Sequence, residues 1–303
     1  MPVIEVRNLH KRYGERIAVH DVSFEVGKGE IFGILGPNGA GKTTTVECLE
    51  GLRRPDGGEL RVLGLDPRTD GAALRERVGV QLQESHLPER MRVGEALELF
   101  ASFYRSPAPW RRVMDDWGLT GIGDSAFGAL SGGQKQRLFI ALALVGAPEV
   151  AVLDELTTGL DPQSRRTTWE LVEQVRDRGV TVVLVTHFME EAERLCDRLV
   201  LIDSGRVVAG GTPAELVARA VPHHVIAFHT AEPLDRALLA GAPGVVRVEA
   251  DGLRTVVTGT GNLLHTVMSV LIGHGIVAED VRLERAGLDE AFLALTGAGR
   301  GRA

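Results

Sequence analysis

The chain has 303 residues, of which 44% are hydrophobic and 25% charged, and this is ordinary for a soluble globular protein with a substantial core. The formal net charge of −7 argues against the basic surface that neutralises nucleic-acid phosphates, so we predict no nucleic-acid partner. The two cysteines, Cys48 and Cys196, lie far apart without cysteine or histidine at metal-ligand spacing, which argues against a zinc signature and a disulfide framework.

The sequence predicts no membrane span. Residues 1–9 are charged and strand-like, unlike the basic and then apolar layout of a signal peptide. The longest apolar stretch, residues 138–153, is interrupted by Gly146, Pro148 and Glu149, and we interpret it as a helix followed by a buried strand. We therefore expect a cytoplasmic chain that depends on another chain for any membrane part.

Apolar strands alternate with helices through the first two thirds of the chain. Strands are predicted at residues 3–6, 18–26, 31–35, 60–62, 150–153, 180–186 and 199–203. Helices are predicted near Lys42 and at residues 93–104, 131–145, 165–178 and 189–196. This alternation indicates an α/β fold with a mostly parallel core sheet covered on both faces.

A second, smaller α+β domain is predicted after residue 220. Its elements follow the order β-α-β-β-α-β, with strands at 225–229, 245–249, 253–258 and 277–283 and helices at 234–239, 263–274 and 289–295. The domains are therefore drawn at 1–220 and 221–297, followed by a disordered tail at 298–303. His223, His224 and His229 are close in sequence, and we interpret them as unliganded residues at a strand edge.

A phosphate-binding loop follows the buried strand at 31–35. Its residues are Gly36, Pro37, Asn38, Gly39, Ala40, Gly41, Lys42, Thr43 and Thr44. Glycines let consecutive N–H groups turn inward, and the helix that follows adds its positive end. Lys42 is expected to reach the β- and γ-phosphates of ATP, and the Thr43 hydroxyl to ligate Mg²⁺.

Two acids end another buried strand. Asp154 and Glu155 follow the apolar residues 150–153, and acids at a strand's carboxyl end point into the ligand crevice of such a sheet. Asp154 is expected to hold Mg²⁺, and Glu155 to orient and deprotonate the attacking water. Without the upstream loop, the same pair would fit a solvated surface turn equally well.

A second glycine-rich helix start lies at Ser131, Gly132 and Gly133. Ser131 can cap the helix, and the glycines leave its amide groups open to an anion. The residues alone do not explain why one protein carries two phosphate-binding helix starts.

The ordered set of these motifs resembles the ATP-binding subunits of ABC transporters, over roughly residues 3–216. The resemblance identifies Lys42 and Thr43 with the Walker A loop, Asp154 and Glu155 with the Walker B pair, and Ser131–Gly133 with the signature segment. In that family, the signature segment contacts the γ-phosphate held by a second subunit. A homodimer with ATP at its interface is therefore expected.

The resemblance also assigns roles to four single residues. It implies that Tyr13 stacks on adenine, Gln83 is the Q-loop glutamine near Mg²⁺, Asp161 is the D-loop acid and His187 senses the γ-phosphate. Three of these four residues have a simpler interpretation: Tyr13 fits a strand end, Gln83 a surface amide and His187 a helix cap. Gln81, two residues before Gln83, leaves the register of that glutamine open.

Two positions depart from the family pattern. Leu156 follows Glu155 where the family has proline, which removes a restraint on the turn that aims Glu155. Residues 105–128 are short for the helical subdomain, so we expect fewer helical turns there.

Within the family, the stretches 83–85, 131–138, 186–192 and 288–292 resemble the drug-resistance and antibiotic-export ATPases. The resemblance implies an ATPase on the cytoplasmic face of the membrane that drives a separate permease to export a drug, antibiotic or lipid-like cargo. The alternatives are a soluble, non-transport ATPase of the superfamily and a binding module without catalysis. A single ATPase domain and the intact Lys42, Asp154, Glu155 and His187 disfavour both.

Overall fold

The computed structural model describes residues 2–81, 86–221, 223–284 and 286–297. Contacts divide the chain into two compact units, one ending at Pro213 and the other beginning at Ala214. The sequence analysis drew the domain boundary after residue 220, and the helix Pro213–Ala220 separates that boundary from the division at Pro213. The boundary after residue 220 therefore stays a prediction.

The strands of the first unit form one sheet with nine members in the described part of the chain. They are β1 (Ile4–Tyr13), β2 (Arg16–Val26), β3 (Ile31–Leu35), β4 (Gly57–Val62), β5 (Val78–Gln81), β6 (Val150–Asp154), β7 (Thr181–Thr186), β8 (Arg198–Asp203) and β9 (Arg206–Gly211). The spatial order is β4-β1-β2-β9-β8-β3-β7-β6-β5. The pairs along β8-β3-β7-β6-β5 are parallel, whereas β1 pairs antiparallel with both β2 and β4.

Helices cover the parallel part of this sheet, and every residue of β3, β6 and β7 is buried. The helices are α1 (Lys42–Leu49), α2 (Gly71–Arg75), α3 (Val93–Ala101), α4 (Trp110–Asp116), α5 (Gly132–Leu144), α6 (Pro162–Asp177) and α7 (Met189–Leu195). Short 3₁₀ helices lie at Thr120–Ile122 and Phe127–Ala129. The predicted α/β fold with a mostly parallel, doubly covered core sheet is confirmed.

The strand register brings three chain segments to one edge of the sheet. Leu35 at the end of β3 pairs with Thr186 at the end of β7, and Asp154 at the end of β6 pairs with Val185. The loops that follow these three strands therefore emerge side by side. This is the crevice at the carboxyl ends of parallel strands where ligands bind in α/β sheets.

The second unit contains a four-stranded antiparallel sheet in the order β11-β12-β10-β13. Its elements are α8 (Pro213–Ala220), β10 (His224–Thr230), α9 (Ala237–Ala240), β11 (Val245–Asp251), β12 (Arg254–Gly259), α10 (Leu263–Gly273), β13 (Ala278–Glu284) and α11 (Leu288–Thr296). Ile226, Phe228, Val257 and Val267 form part of its own core. The predicted β-α-β-β-α-β order is confirmed.

Several predicted boundaries are wrong. β1 continues to Tyr13 because that residue pairs with Arg16 across a hairpin, and the strand was predicted to end at residue 6. α9 begins at Ala237, later than the predicted start at 234, where the Asp235 side chain accepts a hydrogen bond from the Ala237 N–H. α6 begins at Pro162, three residues before the predicted start, and α3 ends at Ala101, three before the predicted end.

Candidate functional site

The loop between β3 and α1 is a compact turn that requires its glycines. Gly36, Gly39 and Gly41 all have positive φ, at 155°, 79° and 102°. A Cβ atom on Gly36 would lie 2.0 Å from the carbonyl oxygen of Ile202, and one on Gly41 would lie 2.4 Å from that of Ala18. Both positions are therefore restricted to glycine by backbone conformation and by close packing.

Lys42 is folded over this loop. Its ammonium group donates hydrogen bonds to the carbonyl oxygens of Gly36, at 2.7 Å, and Pro37, at 3.1 Å. Burial lowers the pKa of Lys42, and the charges of Glu155 and Asp154 partly oppose this. The cation is thus held at the loop by protein groups, and the charges of the two acids at the end of β6 act on it.

The loop opens into a cleft of about 510 Å³ in the first unit. The lining residues include many of those predicted to bind ATP, namely Tyr13, Asn38, Gly39, Gly41, Lys42, Thr43, Thr44 and Glu155. Gly36 and Ala40 are buried in the loop, and Pro37 is exposed on it. Tyr13 is 41% exposed at the end of β1, so its ring is accessible to a ligand. A nucleotide-sized cleft, open amide groups and an exposed aromatic ring suit an adenine nucleotide.

The two acids differ in their surroundings. Asp154 ends β6 and is buried, and this burial, with the nearby charge of Glu155, raises its pKa to about 6, whereas Lys42 opposes the shift. Glu155 has a φ of 50° and donates its backbone N–H to the Val185 carbonyl oxygen. A left-handed residue directly after a strand turns the chain sharply, so the Glu155 side chain lines the cleft.

Glu155 and His187 form a pair. The His187 Nδ1 atom lies 3.1 Å from Glu155 Oε1, and the side chains are 32% and 11% exposed. His187 does not cap α7, whose first turn follows Phe188; instead Thr186 Oγ1 accepts the Phe188 N–H. The structure therefore brings together the predicted water-activating acid and the predicted phosphate-sensing histidine, which are 32 residues apart in the sequence.

Ser131 and Asp161 lie in a second cleft of about 330 Å³, which is also lined by Gly133, Gln134 and Ser164. Ser131 caps α5, since its Oγ accepts the Gln134 N–H and its own N–H donates to Gln134 Oε1, while Gly132 begins the helix. Asp161 caps α6 by accepting hydrogen bonds from the N–H groups of Gln163 and Ser164. The hydrogen bond that the Ser164 hydroxyl donates to its carboxylate, and then these backbone bonds, lower the pKa of Asp161. Among the described residues, the linings of the two clefts have no member in common.

Four further positions complete the predicted set or add to it. Gln83, predicted near Mg²⁺, lies outside the described residues. Arg16 and Ala18 line the nucleotide cleft and were missed by the sequence analysis, although the turn signal at Tyr13-Gly14 places Arg16 opposite Tyr13 in a hairpin. Leu156, in the family's proline position, is fully buried.

Comparison with known proteins places the chain in a family. A family model described as ABC transporter matches residues 19–158. Nod factor export ATP-binding protein I of Ralstonia nicotianae is 40% identical over 304 residues, which cover 98% of this chain and 94% of that protein. A daunorubicin resistance ATP-binding protein of Streptomyces coeruleorubidus is 38% identical and covers 97% of this chain and 96% of its own length.

Solved structures share the fold of the first unit. The structure of an ATP-binding subunit of an ABC transporter is 30% identical, covers 72% of this chain and 92% of its own, and has a TM-score of 0.65. A dimeric ATP-binding cassette in a post-hydrolysis state with ADP and Pi is 26% identical, covers 69% of this chain and 98% of its own, and has a TM-score of 0.63. In the part of the chain that is described, no helix is long and apolar enough to cross a membrane. The resemblance to the drug-resistance and antibiotic-export group is confirmed, and the chain belongs to the ABC transporter family as an ATP-binding protein with ATPase activity.

Proposed function

We propose that this chain is the ATP-hydrolysing subunit of an exporter, and that it drives a separate membrane permease through ATP-dependent closure of a homodimer on the cytoplasmic face of the membrane. The names of two relatives, matched over nearly their full lengths, concern export of Nod factor and resistance to daunorubicin. The cargo is accordingly a drug, antibiotic or lipid-like molecule, recognised by the permease.

The observation that supports a dimer is the separation of the two phosphate-binding helix starts. Lys42 and Thr43 line one cleft, and Ser131 and Gly133 line another. One chain therefore presents both halves of a composite site without joining them in itself. Two copies arranged head to tail join each loop to the partner's signature segment, and a two-fold axis makes both sites equal.

Mg²⁺ fits the residues of the nucleotide cleft. The exposed Thr43 hydroxyl lines this cleft, and Asp154, buried near Glu155, supplies a carboxylate, so the donors are the hard oxygen atoms that Mg²⁺ prefers. When bound, the ion offsets charge on the phosphate oxygens. We assign Glu155 to accept a proton from the attacking water, and His187, 3.1 Å from it, to hold the carboxylate in place and sense the γ-phosphate.

Substitution of Glu155 by glutamine tests the catalytic assignment and the dimer together. Glu155→Gln should bind Mg-ATP with nearly unchanged affinity, lose turnover by about 100-fold or more, and accumulate as a dimer in ATP on size-exclusion chromatography. Lys42→Ala is the control. It should remain monomeric in ATP because it lacks the ammonium group that is expected to bind the β- and γ-phosphates. Full turnover in Glu155→Gln, or a monomer at saturating ATP, contradicts the proposal.

The contact with the permease is proposed near Gln83 and helix α3. Leu99, in the last turn of this helix, and Phe103, two residues after its end, are 42% and 63% exposed, and exposed large apolar side chains are candidates for a docking surface. Phe103→Asp should abolish ATP-dependent export while the ATPase of the isolated subunit is retained.

The genes beside this one test the direction of transport. A six-span membrane protein encoded next to it without a periplasmic binding protein is expected for an exporter. A neighbouring binding-protein gene contradicts export.

A further inference from the structure

A cluster of buried polar side chains lies behind the Glu155–His187 pair. Glu191 on α7 is fully buried, and its Oε1 accepts a hydrogen bond of 3.1 Å from Trp169 Nε1 on α6. The hydroxyls of Thr186 and Thr157 and the guanidinium of Arg165 lie close enough to act on the same carboxyl group. We call these five residues the Glu191 cluster.

The cluster touches each segment that positions the reacting pair. Thr157 is the second residue after Glu155 in the turn that follows β6, and Thr186 is the residue before His187. Both threonines are completely buried. Trp169 and Arg165 belong to α6, the helix that Asp161 caps. The Glu191 carboxyl group therefore lies between the turn that carries Glu155, the residue before His187 and helix α6, which Asp161 caps.

The cluster contains buried polar atoms that have no partner in this arrangement. Among the described residues, Glu191 Oε2, Thr157 Oγ1 and Arg165 Nε make no hydrogen bond. Unpaired buried polar atoms are costly, and native proteins keep few of them. The carboxylate oxygen is an acceptor, and the other two atoms carry hydrogens that can be donated to it. The three groups are therefore chemically complementary, one acceptor and two donors around the same carboxyl group.

The turn lacks the restraint that proline would place on its backbone dihedral angles. Glu155 has the left-handed φ of 50°, and Leu156 follows it in the family's proline position. Leu156 anchors the turn by burying its apolar side chain, but leucine leaves φ adjustable where proline fixes it. A hydrogen bond from Thr157, the residue after Leu156, is well placed to set the direction of the Glu155 carboxylate.

We propose that Glu191 is a positioning residue for ATP hydrolysis, which through Thr157 and Thr186 sets the geometry of Glu155 and His187. The inference rests on the proposed roles of that pair. It assigns Glu191 no contact with ATP, so its removal should impair the chemical step and leave nucleotide binding intact.

The first test substitutes Glu191 by glutamine. Glutamine retains the volume and an oxygen for Trp169, but its second polar atom is an amide that cannot accept a hydrogen bond from Thr157 or Arg165. We expect kcat to fall about tenfold or more with KM for ATP changed by less than about twofold. Glu193→Gln, an exposed acid two residues along α7, is the matched control and should behave as the wild type. Wild-type kcat in Glu191→Gln, or parallel changes in kcat and KM with a lower melting temperature, contradicts the proposal.

The second test uses Thr157→Val, which removes the hydroxyl and nearly preserves shape. It should also lower kcat at constant KM, and the double variant with Glu191→Gln should lose little more than Glu191→Gln alone. Additive losses of kcat in the double variant would contradict an action of Glu191 through Thr157. Because Thr157→Val adds no polar group to the core, it remains informative if Glu191→Gln folds poorly.

Parallel assays of Glu155→Gln separate this inference from the proposed function. Full turnover of Glu155→Gln contradicts the assignment of Glu155 itself. Lost turnover there, together with wild-type kcat in both Glu191→Gln and Thr157→Val, contradicts the positioning role alone.

Discussion

At the scale of single residues, charge and burial around the nucleotide cleft decide which side chains are available for chemistry. Lys42 is bonded to the loop carbonyls, whereas Arg16 is exposed and lines the cleft directly beside the loop. The Arg16 guanidinium is therefore a second cation available to the nucleotide, and one that requires no rearrangement of the loop.

Substitution of Arg16 by alanine should weaken ATP binding. Removal of one exposed cation from the rim of the cleft should raise the Kd for ATP about three- to tenfold and leave kcat nearly unchanged, since Arg16 is assigned to nucleotide binding and not to the chemical step. Fluorescence titration with a nucleotide analogue at low and high salt measures the effect, which should shrink with salt. Arg12→Ala, an exposed cation that is not in the cleft lining, is the control; an equal loss there would contradict a local role for Arg16.

Glu50 provides a test of stability against pH. It is buried at the end of α1, and burial, followed by the charges of Asp154 and Glu47, raises its pKa to about 8. An unfolded glutamic acid ionises near 4.5, so between these values the folded protein holds the proton more tightly than the unfolded chain. Stability contributed by this group is therefore present at low pH and is lost as the pH rises through about 8.

Glu50→Gln should accordingly be more stable than the parent at pH 8.5, by several kcal/mol, with the advantage vanishing near pH 4.5. Urea unfolding at both pH values measures the difference. Glu47→Gln, at the half-buried acid on the same helix, is the matched control. A gain for Glu50→Gln that is equal at the two pH values would contradict this account.

At the scale of elements, the strand-loop-helix unit of β3 and α1 depends on the conformation of the loop between them. Gly36→Ala would place a Cβ atom 2.0 Å from the Ile202 carbonyl oxygen at a φ of 155°. We expect a loss of about 2–4 kcal/mol in unfolding free energy and loss of ATP binding, because the loop must move away from β8. Gly121→Ala, at a glycine with open space around it, should leave both properties unchanged. A stable, ATP-binding Gly36→Ala variant would contradict the steric argument.

The elements also show which parts of the fold can be predicted from hydrophobic periodicity. The fully buried strands β3, β6 and β7 were predicted within a residue at each end because burial on both faces leaves a nearly continuous apolar run. β9 was missed because its residues are mainly exposed, and β5 because only its Val80-Gln81 end was considered, as part of the Gln83 motif. Their strand conformation comes from pairing with β8 and β6, and periodicity within a single segment does not reveal such pairing.

At the scale of the whole molecule, the second unit has a sheet and a core of its own. A separately expressed fragment of residues 214–297 should therefore fold cooperatively. It should be more stable than a fragment of residues 221–297, because α8 contributes the fully buried Leu216 and groups with the second unit by its contacts. Thermal unfolding of the two fragments compares them directly. Equal stability, or a disordered longer fragment, would contradict the placement of α8 in this unit.

The sequence by itself determined the nucleotide loop, the two acids after β6 and the helix start at Ser131, because these motifs are contiguous and depend on local backbone chemistry. Residue type and spacing within single segments predict the phosphate-binding loop at Gly36–Thr44 and the α/β class. Only the tertiary structure decided that His187 contacts Glu155, that Arg16 enters the cleft and that Glu191 lies beside Thr157 and Thr186. Those relations depend on which strands pair and in what register, because Glu155 and His187 follow the ends of the paired strands β6 and β7.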